Sequence, residues 1–360
     1  MSCKWLIIFY VFSLQACAYN TNMKKNDNVG KTVVLFERKY NGYALFRIPA
    51  MVKSKNGTLL AFAEGRMCGT CGDAGDINIV VKRSIDNGNT WSNMGVVWDD
   101  GDNTCGNPVP IVDQETGTIH LLMSWNNRRP FVTSSSDDGI TWTKPVEITS
   151  SVKGIGWGWY ATGPVHGIQI SEGENKGRLL APTYASVNIS GVTKSYSFLI
   201  YSDDHGKTWQ KGELTRQGDV GECTVAETNK GLLLNMRSST SKARIFAYSS
   251  DGGISWSSNQ QRNDLVDPQC QASLISYKQG KRRFFYQANA TSSERKNLTI
   301  KRSSDDGESW SAGTTIYPGP SAYSDMTLLN KNTIGVLFEN GEKSPYDKIT
   351  FTTIKKSSIK

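Results

Sequence analysis

The amino-acid sequence predicts an all-β protein, a six-bladed β-propeller, and three observations support this prediction. An eight-residue motif of the form Ser-x-Asp-x-Gly-x-Ser/Thr-Trp occurs five times along the 360 residues. Alternating or β-branched runs precede the copies, as in INIVVKRS before the first and NLTIKRSS before the fifth, and such runs are typical of strands. The chain contains 34 glycines and is 10% aromatic, which fits a protein of strands and turns rather than a disordered chain.

The spacing of the motif sets the predicted number of blades. The five copies are SIDNGNTW (Ser84–Trp91), SSDDGITW (Ser135–Trp142), SDDHGKTW (Ser202–Trp209), SSDGGISW (Ser249–Trp256) and SSDDGESW (Ser303–Trp310). Their aspartates, at positions 86, 137, 204, 251 and 305, are separated by 51, 67, 47 and 54 residues. A period of about 50 residues composed of strands and turns matches one four-stranded propeller blade. The chain has room for six blades, and we expect one blade to lack the motif or to be closed by the two chain ends.

Each copy of the motif is predicted to be a structural corner rather than a site of chemistry. Glycine accepts positive φ angles and aspartate bonds its own backbone, so the motif suits a hairpin turn. Its tryptophan is expected to be buried against the neighbouring layer. Five equivalent aspartates on five blades cannot converge on one substrate, so we expect the chemistry to come from residues that occur once.

The N-terminal residues predict an export signal and a linker. Lys4 precedes the apolar run WLIIFYVFSL, and QACAYN then supplies small residues. Such a run is too short to span a bilayer but suits the hydrophobic region of a secretory signal. We therefore assign residues 1–18 to the signal, 19–30 to a linker and 31–356 to one propeller domain with no membrane span. A buried N-terminal strand is the alternative. LQAC also resembles a bacterial lipoprotein cleavage box that would lipidate Cys17, so the exported chain is expected to be secreted, periplasmic or lipid-anchored.

The distribution of charge and of metal-binding residue types argues against two functional classes. The net charge is +8, but the basic residues are scattered rather than gathered in a stripe. This disfavours a nucleic-acid partner and leans weakly toward anionic substrates. The lone C-x-x-C of Cys68 and Cys71 has no second pair at matching spacing, and only three histidines are present, so we expect no metal or other cofactor. In an exported chain Cys68 and Cys71 form either a local disulfide or two free thiols.

Five stretches contain polar residues that stand outside the repeated motif. A guanidinium within the apolar run ALFRIPAMV is costly to bury without an anion, although Arg47 could also snorkel or pair with a structural glutamate. The glycine-rich loop EGRMCGTCGDAGD either offers a carboxylic acid as proton donor or is an ordinary acidic turn. The other stretches have equally plain alternatives, which are a cross-strand salt bridge, a solvated arginine, a core tyrosine and a surface glutamate. The candidates are Arg47; Glu64, Arg66, Asp73 and Asp76; Glu222 and Arg237; Arg295; and Tyr323 and Glu339.

Together with the repeated motif, which is known as the Asp box, these stretches closely resemble the exo-sialidase (neuraminidase) family over the whole mature chain. FRIP is the family's most specific signature, and LLLNMRS and SERKNLT resemble the segments of its second and third arginines. The resemblance implies that three arginines bind the carboxylate of sialic acid, and these are Arg47, Arg237 and Arg295. It also implies that Asp73 is the acid/base and Tyr323 the nucleophile. Glu222 would be the carboxylate that activates the nucleophile, and Glu339 the acid that steadies the first arginine.

Two parts of the resemblance are looser. AEGR resembles a pair that borders the sugar, which implies a substrate-binding role for Glu64 and Arg66. WGWYATGPVHGIQI resembles a stretch that lines the pocket in bacterial members, which implies a substrate contact from Tyr160. The loop before Asp73 contains two cysteines where many members have polar residues, so Asp76 competes for the acid/base role. We assign that role to Asp73 because it lies on the loop, whereas Asp76 begins the strand DINIVV.

The resemblance implies an exo-α-sialidase that hydrolyses terminal sialic acids from glycoproteins, glycolipids and oligosaccharides by a retaining mechanism with a tyrosine nucleophile. Two alternatives stay open: a trans-sialidase that transfers the sugar to galactose, and a non-catalytic propeller that binds sialylated glycans. A lectin would not need Asp73, Tyr323 and Glu222 together, so their joint presence favours an enzyme.

Overall fold

The runs that predict strands form antiparallel hairpins in the computed structural model, which describes residues 29–360. The predicted export signal, residues 1–18, and the predicted linker as far as residue 28 lie outside the described residues. The sheets are arranged as in a propeller, which confirms the predicted all-β class. Besides strands, residues 29–360 contain one short helix, α1 (Thr149–Val152), and one 3-10 turn (Lys356–Ser358). No helix in this part of the chain is long and apolar enough to cross a membrane.

The first four blades are separate antiparallel sheets whose strands follow one another in chain order. They come after the edge strand β1 (Val33–Glu37), which belongs to the last sheet. Blade 1 contains β2 (Leu45–Lys53), β3 (Leu59–Arg66), β4 (Ile77–Ser84) and β5 (Gly95–Trp98). Blade 2 contains β6 (Cys105–Val112), β7 (Ile119–Trp125), β8 (Arg129–Ser135) and β9 (Val146–Glu147). Blade 3 contains β10 (Tyr160–Thr162) and β11 (Ile168–Gln169), which both pair with β12 (Leu179–Ile189), then β13 (Val192–Ser202) and β14 (Gln210–Lys211). Blade 4 contains β15 (Val220–Thr228), β16 (Gly231–Ser238), β17 (Ala243–Ser249) and β18 (Gln260–Val266).

Blades 5 and 6 share one long strand within a seven-stranded sheet. This sheet contains β19 (Ser273–Gln279), β20 (Arg282–Ala290), β21 (Lys296–Ser303), β22 (Thr314–Asn330), β23 (Thr333–Asn340), β24 (Lys348–Lys355) and the edge strand β1. β22 pairs with β21 as far as Pro320 and with β23 from Ser321 onwards. Its first part is therefore the fourth strand of blade 5 and its second part the first strand of blade 6. Dividing the sheet at this point gives six units, and β1 completes the last of them by pairing with β24.

The position of the Asp boxes explains why there are five of them. In each of blades 1 to 5 the motif forms the turn between the third and fourth strands, as Ser84–Trp91 does between β4 and β5. In blade 6 the third strand is β24 and the fourth is β1, from opposite ends of the chain. No turn joins these two strands, so blade 6 has no place for the motif.

Hydrogen bonds inside each Asp box saturate its aspartate. In the second copy, the hydroxyl of Ser135 donates to Asp137 Oδ1 at 2.7 Å and also accepts from the backbone N–H of Gly139 at 2.8 Å. The hydroxyl of Thr141 donates to Asp137 Oδ2 at 2.6 Å and its N–H to Oδ1 at 2.9 Å. These bonds favour the ionised carboxylate and lower the pKa of Asp137 to about 2. The motif is therefore a self-contained turn.

Tryptophans of the Asp boxes pack against the preceding blade of the ring. Trp142 of blade 2 packs edge-on against Phe62 of blade 1, with ring centroids 5.8 Å apart. Trp91 of blade 1 packs in the same way against Phe351 of blade 6, at 5.2 Å. Contacts of this kind bury aromatic surface between adjacent blades, which stabilises the closed ring.

Candidate active site

Irregular pairing near the start of three innermost strands directs polar side chains into one mouth of the propeller. The register shifts lie between Arg47 and Ala50 in blade 1, between Val220 and Cys223 in blade 4, and between Ser321 and Ser324 in blade 6. A bulge bends its strand and re-aims a side chain. Arg47 borders the first bulge, and the other two contain Glu222 and Tyr323. Ile48 in the first bulge has a φ of 60°, a strained angle for a β-branched residue.

Three arginines from three different blades surround the ring of Tyr323. The Cζ atom of Arg47 lies 5.1 Å from the centroid of that ring, and the Cζ atom of Arg295 lies 5.3 Å from it. Nη1 of Arg237 lies 3.2 Å from the hydroxyl oxygen of the same tyrosine. The structure thus brings together four predicted residues that are far apart in the chain.

Glu339 is fully buried and ties Arg47 to the strand of Tyr323. Its Oε1 accepts from Nε of Arg47 at 2.7 Å and from the N–H of Ile48 at 2.9 Å. Its Oε2 accepts from the N–H of Tyr323 at 3.1 Å. Burial lowers the pKa of Arg47, but the attraction of Glu339 and Tyr323 outweighs this effect and raises it above its ordinary value. The guanidinium therefore keeps its charge inside the propeller.

Two residues that sequence reasoning missed, Tyr346 and Gln269, hold Arg295 in place. Nη1 of Arg295 donates to the hydroxyl of Tyr346 at 2.8 Å, and Nη2 donates to the backbone carbonyl of Gln269 at 2.9 Å. The ring of Tyr346 also lies 4.1 Å below the Cζ atom of Arg47. Tyr346 belongs to the polar loop GEKSPYDK between β23 and β24, and an aromatic residue in such a loop is the only signal that could have drawn attention to it.

Tyr323, Glu222 and Arg237 form a closed triangle of hydrogen bonds. The hydroxyl of Tyr323 donates to Oε1 of Glu222. Nη1 of Arg237 donates both to Oε2 of Glu222, at 2.8 Å, and to the hydroxyl of Tyr323. Burial and the charge of Glu222 raise the pKa of Tyr323 well above its ordinary value, whereas Arg237 and Arg295 lower it. The resting phenol is therefore neutral, and Glu222 stands in position to accept its proton.

Arg66 links Glu64 and Asp73 at the end of β3. Its Nη2 donates to Oε2 of Glu64 at 2.6 Å and to Oδ1 of Asp73 at 2.9 Å. Glu64 also accepts from the N–H of Asn107 at 2.8 Å, and Asn127 donates to the backbone carbonyl of Asp73 at 2.7 Å. The Asp73 side chain is 64% exposed although its partner Arg66 is buried. A carboxyl group that is held at one oxygen and open to solvent at the other can exchange protons with a ligand or with water.

Asp76 has different surroundings from Asp73. Burial and the negative charges of Asp99 and Asp102 raise the pKa of Asp76, whereas Asp73 contacts the guanidinium of Arg66. Of the two candidate acids, Asp73 is the one joined to the arginine network, so we keep it as the acid/base candidate. Within residues 29–360, no cluster of His, Cys, Asp and Glu side chains has the geometry to hold a metal ion.

Tyr160 does not reach this site, which corrects the contact that the sequence implied. Its side chain is 0% exposed and its ring packs 5.9 Å from that of Phe198 in the core of blade 3. Its hydroxyl donates to the carbonyl of Val152 at 3.4 Å. Side chains alternate between the two faces of a strand, so with Tyr160 turned to the core its neighbour Trp159 faces outward.

Trp159 and Tyr184 supply an aromatic surface in place of Tyr160. The Trp159 side chain is 37% exposed, and its Nε1 donates to the hydroxyl of Tyr184 at 3.1 Å. Burial and the charge of Glu222 raise the pKa of Tyr184, and Asp73 adds to the effect. The Tyr184 hydroxyl thus lies within electrostatic reach of both candidate catalytic carboxylates.

A cavity of about 260 Å³ opens beside Glu222 and Arg237, with Tyr184 and Gln269 in its walls. Larger cavities of about 560 and 590 Å³ lie between blades at the Asp-box face and contain none of the predicted site residues. Convergent charge rather than cavity size therefore identifies the site.

Comparisons with known proteins relate the chain to BNR repeat-like domains and to sialidases. The sequence family described as a BNR repeat-like domain matches residues 57–336. A sialidase of Micromonospora viridifaciens is 33% identical over 333 residues, which is 83% of this chain and 50% of the relative. A sialidase of Bacteroides fragilis is 30% identical over 354 residues, which is 88% of this chain and 63% of the relative. The solved structure of Hadza microbial sialidase Hz136 superposes with a TM-score of 0.79 at 28% identity, covering 89% of this chain and 67% of that one.

This chain therefore spans half the length of the Micromonospora relative and under two thirds of the Bacteroides one. The matched family nevertheless covers most of the chain, and the relatives align with 83% or more of it. The chain belongs to the exo-α-sialidase (neuraminidase) family with BNR repeats.

Proposed function

We propose that this protein is an exo-α-sialidase that hydrolyses terminal sialic acids from glycoconjugates and retains the configuration of the anomeric carbon. The observation that carries the proposal is the hydrogen-bonded triangle of Tyr323, Glu222 and Arg237, with Arg47 and Arg295 beside the same ring. Tyr323 is the proposed nucleophile, Glu222 its base and Asp73 the acid/base.

The arginine cluster supports an acidic sugar as the substrate. Three guanidiniums repel one another when the site is empty, and burial of each costs free energy. Glu339 and Glu222 offset part of this cost for Arg47 and Arg237. Arg295 donates instead to neutral oxygens, the hydroxyl of Tyr346 and the backbone carbonyl of Gln269. A substrate carboxylate would accept charge-assisted hydrogen bonds from the three guanidiniums. A neutral sugar would leave this charge uncompensated.

The surroundings of Tyr323 support its role as nucleophile. A carboxylate at this position would face the substrate's own carboxylate and be repelled by it, whereas a phenol is neutral until it attacks. Its raised pKa means that the phenol needs a base at the moment of attack. Glu222 would take the proton as the phenolic oxygen bonds to the anomeric carbon, while Arg237 and Arg295 stabilise the developing negative charge. Tyrosine nucleophiles are a recognised exception among retaining glycosidases.

The position of Asp73 supports a double role in the two half-reactions. In the first, Asp73 would protonate the leaving glycosidic oxygen as the bond to the anomeric carbon breaks. In the second, the same carboxylate would take a proton from water as water attacks the sugar–tyrosine bond, and Glu222 would return the proton to Tyr323. The exposure of Asp73 gives both the leaving group and water access to it.

We also propose that the chain is exported. The disulfide between Cys68 and Cys71 supports this, because such bonds persist in oxidising compartments. The glycans on which the enzyme would act are cell-surface and secreted molecules.

A fluorogenic aryl sialoside tests the proposed function directly. We expect release of the aryl alcohol, inhibition by a transition-state mimic of sialic acid, and no turnover of the corresponding aryl galactoside. Proton NMR of the first product should show the α-anomer before it equilibrates, as retention requires. Absence of release from every sialoside would overturn the proposal in favour of a sialoglycan-binding propeller, and a β-anomer as first product would overturn the tyrosine mechanism.

A further inference from the structure

The loop that carries Asp73 is exposed and rich in glycine. It runs from residue 67 to 76 between β3 and β4, and almost all of it is exposed. Gly72 and Gly75 flank Asp73 with φ angles of +64° and +103°, so the backbone on both sides has the freedom that only glycine provides. A loop of this composition would sample many conformations without a constraint.

Fixed contacts hold Asp73 and the second half of the loop. Arg66 donates to the Asp73 carboxylate at 2.9 Å and Asn127 to its backbone carbonyl at 2.7 Å. Thr104 donates to the carbonyl of Gly75 at 2.9 Å. In the first half, MCGTC, the N–H of Met67 donates to the carbonyl of Asp76 at 3.1 Å. The covalent bond between Cys68 and Cys71 closes a ring directly before Gly72. Gly72 in turn accepts a hydrogen bond from Arg66 through its carbonyl, so the ring sets the backbone from which Asp73 projects.

We propose that the Cys68–Cys71 disulfide positions the acid/base Asp73, and that reducing it selectively weakens catalysis on substrates that need a proton donor. The inference rests on the proposed function. Asp73 is the group that acts on the leaving oxygen, and the two cysteines are positioning residues. The disulfide thus makes turnover of natural glycosides dependent on the redox state of the surroundings.

The redox step is accessible to an added dithiol. Cys71 is exposed and Cys68 half-buried, whereas the three free cysteines in the described chain, Cys105, Cys223 and Cys270, are buried. A thiolate of the reductant attacks one sulfur and forms a mixed disulfide, and its second thiol displaces the cysteine. Two electrons and two protons pass to the protein, which leaves two thiols on the loop and one disulfide in the oxidised reductant.

The leaving group distinguishes this role from a purely structural one. A sugar alcohol is a poor leaving group and departs only when its oxygen is protonated, whereas an aryl alcohol of low pKa departs with little help. Loss of acid positioning therefore slows the first class of substrate much more than the second. General loosening of the arginine cluster would slow both classes alike and raise KM.

The experiment compares sialyllactose with an aryl sialoside for wild-type protein with and without dithiothreitol, and for the double variant Cys68→Ser/Cys71→Ser. We expect reduction to lower kcat for sialyllactose by about ten-fold while kcat for the aryl sialoside changes less than two-fold. The double variant should show the same pattern without reductant and should not respond to dithiothreitol. Asp73→Asn provides the limit of complete acid loss, and thermal unfolding should show all forms folded.

Three outcomes would overturn the inference. The first is equal slowing of both substrates, the second is no change with either, and the third is alkylation of Cys68 and Cys71 in the unreduced native protein. If the oxidised wild type turns over neither sialoside, the proposed function fails instead, so the two failures are distinguishable.

Discussion

Carboxylates at the rim and at the centre of this propeller have the same chemistry in isolation but opposite surroundings. At the rim, Asp137 accepts all its hydrogen bonds from residues at most four positions away. At the centre, Glu339 binds an arginine 292 positions away, and Glu222 accepts from a tyrosine 101 positions away. Asp137 is thus satisfied within its own turn, whereas Glu339 and Glu222 take these partners from other strands and blades.

The difference shows which carboxylates are available for chemistry. A carboxylate saturated by its own turn is held ionised and has no proton to exchange, as the pKa of about 2 for Asp137 shows. Glu222 contacts the hydroxyl of the buried Tyr323, which can give up a proton, and Asp73 is open to solvent and to a ligand. Saturation within one turn therefore fits a structural role for Asp137, whereas Glu222 and Glu339 bind residues of the candidate site itself.

The largest effect is expected when the hydroxyl oxygen of Tyr323 is removed from the centre of the propeller. Tyr323→Phe should lower kcat by several orders of magnitude because no nucleophile remains, while the free energy of unfolding changes little. Kinetics on an aryl sialoside and urea unfolding would measure both effects. Tyr160→Phe is the matched control, since it removes the hydroxyl of another buried tyrosine, one that donates to the carbonyl of Val152 in the core of blade 3 and contacts none of the three arginines. Near-normal turnover of Tyr323→Phe would refute the assignment of the nucleophile.

A smaller loss of activity is expected when Arg295 is replaced by lysine, which keeps the positive charge but lacks the planar guanidinium. Arg295→Lys has one nitrogen in place of the planar fork whose two nitrogens bind Tyr346 and Gln269, so kcat/KM should fall roughly 10- to 100-fold, mostly through KM. Arg302→Lys changes an exposed residue of β21, the strand that begins directly after Arg295, and should leave both constants unchanged. Equal values for the two variants would mean that Arg295 does not bind the substrate.

At the rim, removal of a carboxylate should affect stability and not turnover. Asp137→Ala frees two backbone N–H groups and two hydroxyls of the turn, so the free energy of unfolding should fall by about 1 kcal/mol, as for loss of a helix cap. Ser136→Ala changes an exposed, variable position of the same Asp box and serves as the control. A stable but inactive Asp137→Ala protein would show that the Asp box takes part in chemistry after all.

The smallest expected effect is a pH dependence of stability that comes from the rim. The hydroxyl and N–H of the final Thr in their motifs lower the pKa of Asp86 and Asp137 from 3.8 to about 2. The unfolded chain therefore binds protons first as the pH falls, so this stability is present above pH 3.8 and is lost as the pH approaches 2. Urea unfolding across this range should show the loss, and Asp137→Asn should show less of it. Parallel curves for the two proteins would contradict the assignment.

Particular residues show how far the sequence alone could predict the site. Arg47 was identifiable because a guanidinium in FRIP interrupts an apolar strand. Tyr346 was not, because nothing in the local pattern of its loop indicates contact with Arg47 and Arg295. Whether Trp159 or Tyr160 faces away from the core depends on which face of β10 is buried. The sequence WGWY fits either arrangement, because both residues are aromatic.

The sequence by itself determined the strands, the Asp-box turns and their period, because each depends on residues that are neighbours in the chain. From these came the propeller class, and from the resemblance came most of the residues of the site. Only the tertiary structure decided that blades 5 and 6 share β22, that Cys68 and Cys71 are joined, and which side chains meet Tyr323. These outcomes depend on bulges and on closure of the ring between β1 and β24. Both bring together residues that are far apart in the chain, so no local sequence pattern indicates the contact.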